Sequence, residues 1–423
     1  MQVTLRTPAP RGSLCAPPSK SEAHRALICA ALADAPTQIV CNATNDDIDA
    51  TIDCLRALGA RIERTEGSFL VTPIAHAPTF AELDARESGS TLRFLLPVIA
   101  ALGTTARIQR RGRLPRRPLS PLRELLAQNG ARLIDHADGS LEISEQLKGN
   151  DFAIAADVSS QFVSGLLFAL PLLQAPTDCH IHLLGQVESR PYIDMTLSAL
   201  AAFGIKVTER AGVLTMPAHS RYISQGTCRI GGDWSGAAAF ACMGAVGKHP
   251  MTLTGLDAKS VQGDRAILSI LAQMGAQVEI DQTAITISPA PLRGVDIDAT
   301  DIPDLVPVLA ATAALAQGKT HVYGASRLRL KESDRLAAVT ELLRTLGADI
   351  TETDDGLVIV GKPALTGGRV DAHGDHRIAM AAAVASPGCT CPVTIDNAQA
   401  VGKSYPAFWE QLSLLCAPNS VIL

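Results

Sequence analysis

LRALGARIE, at residues 55–63, reads as the last turn of an amphipathic helix, a glycine and the start of a strand. The same reading fits LLAQNGARL at 125–133, LAAFGIKVT at 200–208, LAQMGAQVEI at 271–280 and LLRTLGADIT at 342–351. Glycine in that place supplies a left-handed residue just past the helix end, where a Cβ would be strained. The glycines are Gly59, Gly130, Gly204, Gly275 and Gly347, at intervals of 71, 74, 71 and 72 residues. So regular a recurrence means that the chain repeats one supersecondary unit. A sixth such helix, over residues 406–415, falls where the period places it, without the glycine.

Each copy also carries an earlier, more apolar helix. These begin near residues 20, 89, 160, 235, 304 and 375, and their small, nearly all-apolar bodies predict helices buried on most sides. Short β-branched runs such as TQIVCN, ARIQR, CHIHLL, MTLTGL and KTHVYG lie between them and read as strands. Each unit is therefore two helices and about four short strands. Six such units make two domains of three, over residues 19–231 and over 1–18 plus 232–423. The strand at residues 2–6 then belongs to the C-terminal half, and the chain crosses between the domains twice.

Composition narrows the function. With 4% aromatic residues and a net charge of −5, the chain lacks the stacking residues and basic balance of a nucleic-acid binder. The opening MQVTLRTPAPRG has no apolar signal region, and the apolar runs at 95–102 and 305–316 each contain a proline and are too short to span a bilayer. Ten cysteines without a C-x-x-C pair predict reduced thiols, mostly core, in a cytoplasmic protein. No spacing suggests a metal site, and no phosphate-binding or dinucleotide-binding glycine motif is present.

The apolar helices start on polar residues: Lys20-Ser21, Ser88-Gly89-Ser90, Ser159-Ser160-Gln161, Asp304 and Asp375-His376-Arg377. A helix N-terminus offers free N–H groups and partial positive charge to an anion. Plain N-capping explains a single Ser or Asp, but not lysine and arginine. Among the second helices, one is expected to begin at Lys331-Glu332-Ser333-Asp334-Arg335 and another at Lys403-Ser404-Tyr405-Pro406. Basic residues there oppose the helix dipole, so a bound anion is the expected partner, with a solvated charged face as the alternative. Residues 107–117 hold six arginines. A substrate with several phosphate and carboxylate groups explains this loop and the helix starts together. Asp304, Glu332 and His376 are the acid–base candidates.

PSKSEAHRAL, ESGSTLRFL, VSSQF, ESRPYID, SVQGD, IPD, LKESDR, GDHRIAMA and GKSYPAFW occur in this order. In this the chain resembles the 5-enolpyruvylshikimate-3-phosphate synthases, from about residue 15 to 412. The resemblance implies an α/β (α+β) fold of two similar domains, each of three βαβαββ repeats around a pseudo-threefold axis. It implies an active site in the interdomain cleft, domain closure over the substrates, and no cofactor or metal. It implies a monomer acting on small molecules, not on nucleic acid or membrane, in the shikimate pathway of aromatic amino acid biosynthesis, and a glyphosate target.

The implied activity joins phosphoenolpyruvate to the 5-hydroxyl of shikimate-3-phosphate. Carried over by motif, the shikimate-3-phosphate site comprises Lys20, Ser21, Arg25, Ser159, Ser160, Gln161, Ser189, Tyr192, Asp304 and Lys331. The phosphoenolpyruvate site comprises Lys20, Gly89, Arg113, Gln161, Glu332, Arg335, His376, Arg377 and Lys403. Lys20, Asp304 and Glu332 carry the catalytic roles. Glu332 as an acid requires a raised pKa, which Lys331 and Arg335 oppose. Two positions depart from the common pattern. Glu87 replaces an asparagine and is expected to repel phosphoenolpyruvate unless it pairs with an arginine such as Arg113 or Arg93, and Arg327 replaces a small polar residue and is expected to add an anion contact. The alternatives are enolpyruvyl transfer to UDP-N-acetylglucosamine, whose family usually has a loop cysteine absent from 107–117, and an RNA-end-processing enzyme of related fold.

Overall fold

The five cap glycines lie at positive φ: 106° at Gly59, 101° at Gly130, 82° at Gly204, 111° at Gly275 and 91° at Gly347. A computed structural model describes residues 1–423. Its helices are α1 (Lys20–Ala31), α2 (Asp46–Ala57), α3 (Gly89–Leu102), α4 (Leu122–Gln128), α5 (Ser160–Ala169) and α6 (Arg190–Ala202), then α7 (Trp234–Val246), α8 (Ile267–Met274), α9 (Val306–Ala313), α10 (Arg335–Thr345), α11 (His376–Ala385) and α12 (Phe408–Leu415). The odd-numbered helices are the apolar ones. The cap glycines follow the even-numbered helices α2 to α10, and α12 ends at Cys416 without one.

Six four-stranded sheets share one order. In the second sheet, Phe80–Asp84 runs parallel to Thr105–Gln109, which pairs antiparallel with Leu141–Ser144, which pairs antiparallel with Arg132–Asp135. With α3 and α4 in their places this is a βαβαββ unit. The first unit takes its leading strand, Thr227–Arg229, from the far end of its own domain. The fourth takes Gly12–Cys15 from near the N-terminus. The sixth is closed by Gln2–Leu5, paired with both Val393–Asp396 and Val421–Ile422. The first, fourth and sixth units are thus completed by distant segments, whereas the other three are built from consecutive strands.

The chain forms two compact units, Lys20–Ile230 and Met1–Ser19 with Gly231–Leu423. In the second, α7, α9 and α11 pack against one another. Their alanine-rich faces are buried throughout, which allows close approach. In the first, α3 packs on α5 and α1 packs on α2 and α6. Phe94 and Phe168 meet edge to face at 5.5 Å there. The segments where the chain passes from one unit to the other are joined: Ser19 N donates to Gly231 O at 2.8 Å and Asp233 N to Pro17 O at 2.8 Å. All ten cysteines are free. No helix is long and apolar enough to cross a membrane.

Three helix starts differ from expectation. Pro303, Asp304 and Leu305 belong to a turn, and α9 begins at Val306. Residues 331–334 precede α10, whose N-cap is Asp334. Lys403 closes a 3-10 segment, Ala398–Lys403, ahead of α12. In each case a cap or proline places the start later than the apolar pattern suggests.

Candidate active site

Three of the polar helix starts are ordinary N-caps. Ser88 accepts from Thr91 N, Ser159 from Gln161 N and Asp375 from Arg377 N. Asp304 is not a cap. Its Oδ1 accepts from Arg335 Nη1 at 2.7 Å and its Oδ2 from Arg377 Nη2 at 3.3 Å, with Lys331 Nζ 3.9 Å away. From the turn before α9 the carboxylate lies among cations that come from α10 and α11.

Arg335 organises this unit's polar cluster. Its guanidinium is 2% exposed and also donates from Nε to Asp375 at 2.8 Å and from Nη2 to Glu332 at 2.8 Å. Burial works to lower its pKa, but Asp375, Glu332 and Asp304 together hold it well above the usual value. The basic residue that opposes the α10 dipole is thus satisfied by side-chain carboxylates. Asp375 has no exposed surface and also accepts from Ser333 Oγ at 3.0 Å. Lys331 is pulled down to about 8 by burial, against the opposing pull of Asp304. Around the start of α11 lie buried His376 and Arg377 and the half-buried Lys403, whose Nζ donates to Gly374 O at 2.8 Å. Arg327 donates from Nη2 to Thr300 O at 2.9 Å.

In the Lys20–Ile230 unit, Lys20 opens α1 and pairs with Asp47 at 3.0 Å. Arg25 is buried and spends its donors on Ser21 O, Tyr192 O and Thr196 Oγ1 while lying 5.0 Å over the Phe94 ring. Burial lowers it to about 10. Arg25 therefore ties the starts of α1 and α6 together, with Ser21 and Tyr192 beside it. Ser189, the residue before α6, is left-handed at φ 53° and makes no side-chain cap. Such a conformation costs about 1–3 kcal/mol in a non-glycine residue.

Gly89 sits at the start of α3 beneath two guanidinium groups. A Cβ there would lie 2.7 Å from Nη1 of both Arg117 and Arg93. Arg93 also donates to Gln161 Oε1 at 2.9 Å, and Gln161 donates to Ser90 Oγ at 2.9 Å. The result is a helix N-terminus, two arginines and an amide on one small patch, the makings of an anion site. Arg113 is exposed, next to the 3-10 segment Leu114–Arg116. Glu87 lies over Gly112, at φ 55°, where a Cβ would collide with its carboxylate.

The arginine-rich loop needs a correction. Arg107 pairs with Asp138, Arg110 with Asp135 and Arg111 with Asp84, so these three brace the sheet through internal carboxylates. Only the later part of the loop reaches the Gly89 patch. Arg93, Arg117, Asp47, Asp264 and Asp375 were given no site role from sequence. Arg93 lies one helical turn after Gly89 on the same face, Arg117 closes the arginine-rich loop, Asp264 ends the SVQGD motif and Asp375 opens the sixth apolar helix, which were the available signals; nothing in the sequence places Asp47.

The chain matches the family model of EPSP synthase (3-phosphoshikimate 1-carboxyvinyltransferase) over residues 7–412. It is 41% identical over 406 residues to the 3-phosphoshikimate 1-carboxyvinyltransferase of Clostridium kluyveri, covering 96% of this chain and 95% of that protein. The Clostridium perfringens protein of the same name is 38% identical over 420 residues, covering 98% of each. Among solved structures, EPSP synthase from Acinetobacter baumannii superposes with a TM-score of 0.82 at 26% identity over 98% of each chain. The enolpyruvyl transferase NikO from Streptomyces tendae shares the fold, with a TM-score of 0.76 at 19% identity, covering 100% of this chain and 98% of that one. The fold is that of the enolpyruvyl transferases. Within it, this chain belongs to the EPSP synthase family.

Proposed function

We infer that this enzyme transfers the enolpyruvyl group of phosphoenolpyruvate to the 5-hydroxyl of shikimate-3-phosphate and releases phosphate. The observation that carries the inference is the family match across residues 7–412. The cation-held carboxylate of Asp304 supplies a group suited to the chemistry. The same match favours the shikimate-3-phosphate acceptor over UDP-N-acetylglucosamine and over an RNA end.

The 5-hydroxyl oxygen attacks C2 of phosphoenolpyruvate and loses its proton to Asp304, while C3 gains a proton. The tetrahedral intermediate then breaks its C2–O bond to phosphate, and C3 gives up a proton to restore the double bond. Glu332 moves the C3 proton, and Lys20 assists the departing phosphate. Arg335 fixes Asp304 and Glu332 at once, which orients both for proton transfer. Lys331, Arg25, Ser21, Ser159, Ser160, Gln161, Ser189 and Tyr192 receive shikimate-3-phosphate. Gly89, Arg113, Arg377, His376 and Lys403 receive phosphoenolpyruvate, joined by Arg93 and Arg117. The protein acts as a monomer in the cytoplasm; its ten free thiols accord with a reducing compartment. Mass spectrometry of the product tests the acceptor: shikimate-3-phosphate should gain one enolpyruvyl group. A gain on UDP-N-acetylglucosamine instead would overturn the assignment.

A further inference from the structure

His24, Thr51, Thr91 and Ser88 are each at most 1% exposed, and they form one hydrogen-bonded chain across α1, α2 and α3. His24 Nδ1 meets Thr51 Oγ1 at 2.7 Å, and Thr51 Oγ1 meets Thr91 Oγ1 at 2.7 Å. The Thr91 hydroxyl donates to Ser88 Oγ at 2.8 Å and lies 3.4 Å from Asp47 O. Ser88 in turn caps α3 by accepting from Thr91 N at 3.2 Å. A hydroxyl carries a single proton. Thr91 directs its proton to Ser88 or Asp47, so towards Thr51 it can only accept. Thr51 then donates to Thr91, and towards His24 it can only accept. The ring proton of His24 therefore sits on Nδ1. The other ring nitrogen agrees, because Nε2 is buried without a hydrogen-bond partner and an N–H there would be unsatisfied. Burial, then Lys20 and Arg25, hold His24 well below its usual pKa, so the ring is neutral.

We propose that His24 and Thr51 are positioning residues for phosphoenolpyruvate, whose one-way chain of donors fixes the start of α3 against the start of α1. Two ties stand one helical turn apart between α1 and α2: the Lys20–Asp47 ion pair at 3.0 Å and the His24–Thr51 hydrogen bond. The second tie continues through Thr91 to Ser88, the residue before Gly89. Lys20 and Gly89 thus keep a set spacing, and both receive phosphoenolpyruvate in the proposed reaction. Thr51 and Thr91 each accept one hydrogen bond and donate another, so the buried chain has one satisfied arrangement and resists drift. Buried as they are, His24 and Thr51 act through Lys20 and Gly89 and not on the substrate directly.

This rests on the enolpyruvyl-transfer reading, and the test separates the two. In wild type carrying isotopically labelled histidine, the imidazole nitrogen resonances of His24, identified by their loss in His24→Gln, should show a protonated Nδ1 and a bare Nε2. That measurement needs no turnover. A proton on Nε2 would reverse the chain and overturn the proposal. Thr51→Val removes the hydroxyl with little change of shape. It should raise the KM for phosphoenolpyruvate about three- to tenfold, the effect of one lost hydrogen bond, and change the KM for shikimate-3-phosphate far less. Thr51→Ser restores the chain and should return the KM close to the wild-type value. A loss of thermal stability in Thr51→Val with both KM values unchanged marks a structural role only and overturns the proposal. So does a rise in Thr51→Ser equal to that in Thr51→Val. Wild type without transferase activity would instead remove the underlying functional reading.

Discussion

Arg335 Nη1 lies 2.7 Å from Asp304 Oδ1, although the two residues are 31 positions apart and belong to the approaches of different helices. The same guanidinium holds Glu332 and Asp375, so one cation sets the positions of three carboxylates. Two of the three are the acid–base residues of the proposed reaction. The third is buried at the start of α11 and explains why so much charge is tolerated out of water.

Asp375 should therefore matter most for stability. Asp375→Ala removes the Arg335 contacts, the Ser333 hydrogen bond and the α11 cap. Breaking a buried pair costs about 3–5 kcal/mol. Urea unfolding should show a loss of that size, and a loss below about 1 kcal/mol would contradict the assignment of Asp375 as a buried anchor.

Gly89→Ala should leave the fold intact and weaken phosphoenolpyruvate binding. The added methyl meets the ends of Arg93 and Arg117, which can shift. Losing one well-placed charge-assisted contact, about 1.5–3 kcal/mol, raises the KM for phosphoenolpyruvate about tenfold or more. An unchanged KM would remove the α3 start from the anion site.

Lys331 gives a pH prediction for the other substrate. Its folded pKa of about 8 lies below that of a free lysine, so it is charged below pH 8 and loses charge above it. The KM for shikimate-3-phosphate should rise about tenfold between pH 7 and 9. Lys331→Arg stays charged throughout and should flatten the profile, even if its binding geometry is poorer.

The repeat was legible because five cap glycines and six apolar helices recur at one spacing, each with a local physical cause. The strand at 2–6 could be given to the C-terminal half on period alone, and Gln2–Leu5 does pair with Val393–Asp396. Partnerships made in three dimensions were not legible. Nothing local says that Arg107, Arg110 and Arg111 spend their charge on carboxylates, or that Asp304 precedes its helix and meets Arg335 and Arg377. Ser88 and Ser159 look the same in sequence whether they cap a helix or bind a ligand, since either use needs the same hydroxyl.

The most direct test is phosphate release from purified protein given shikimate-3-phosphate and phosphoenolpyruvate, with each substrate omitted in turn and a chelator added in parallel. Release should require both substrates and ignore the chelator. Asp304→Ala should lower kcat by about 10²–10⁴ while changing both KM values far less, as loss of a general base does. Release from phosphoenolpyruvate alone, or full turnover in Asp304→Ala, would contradict the account.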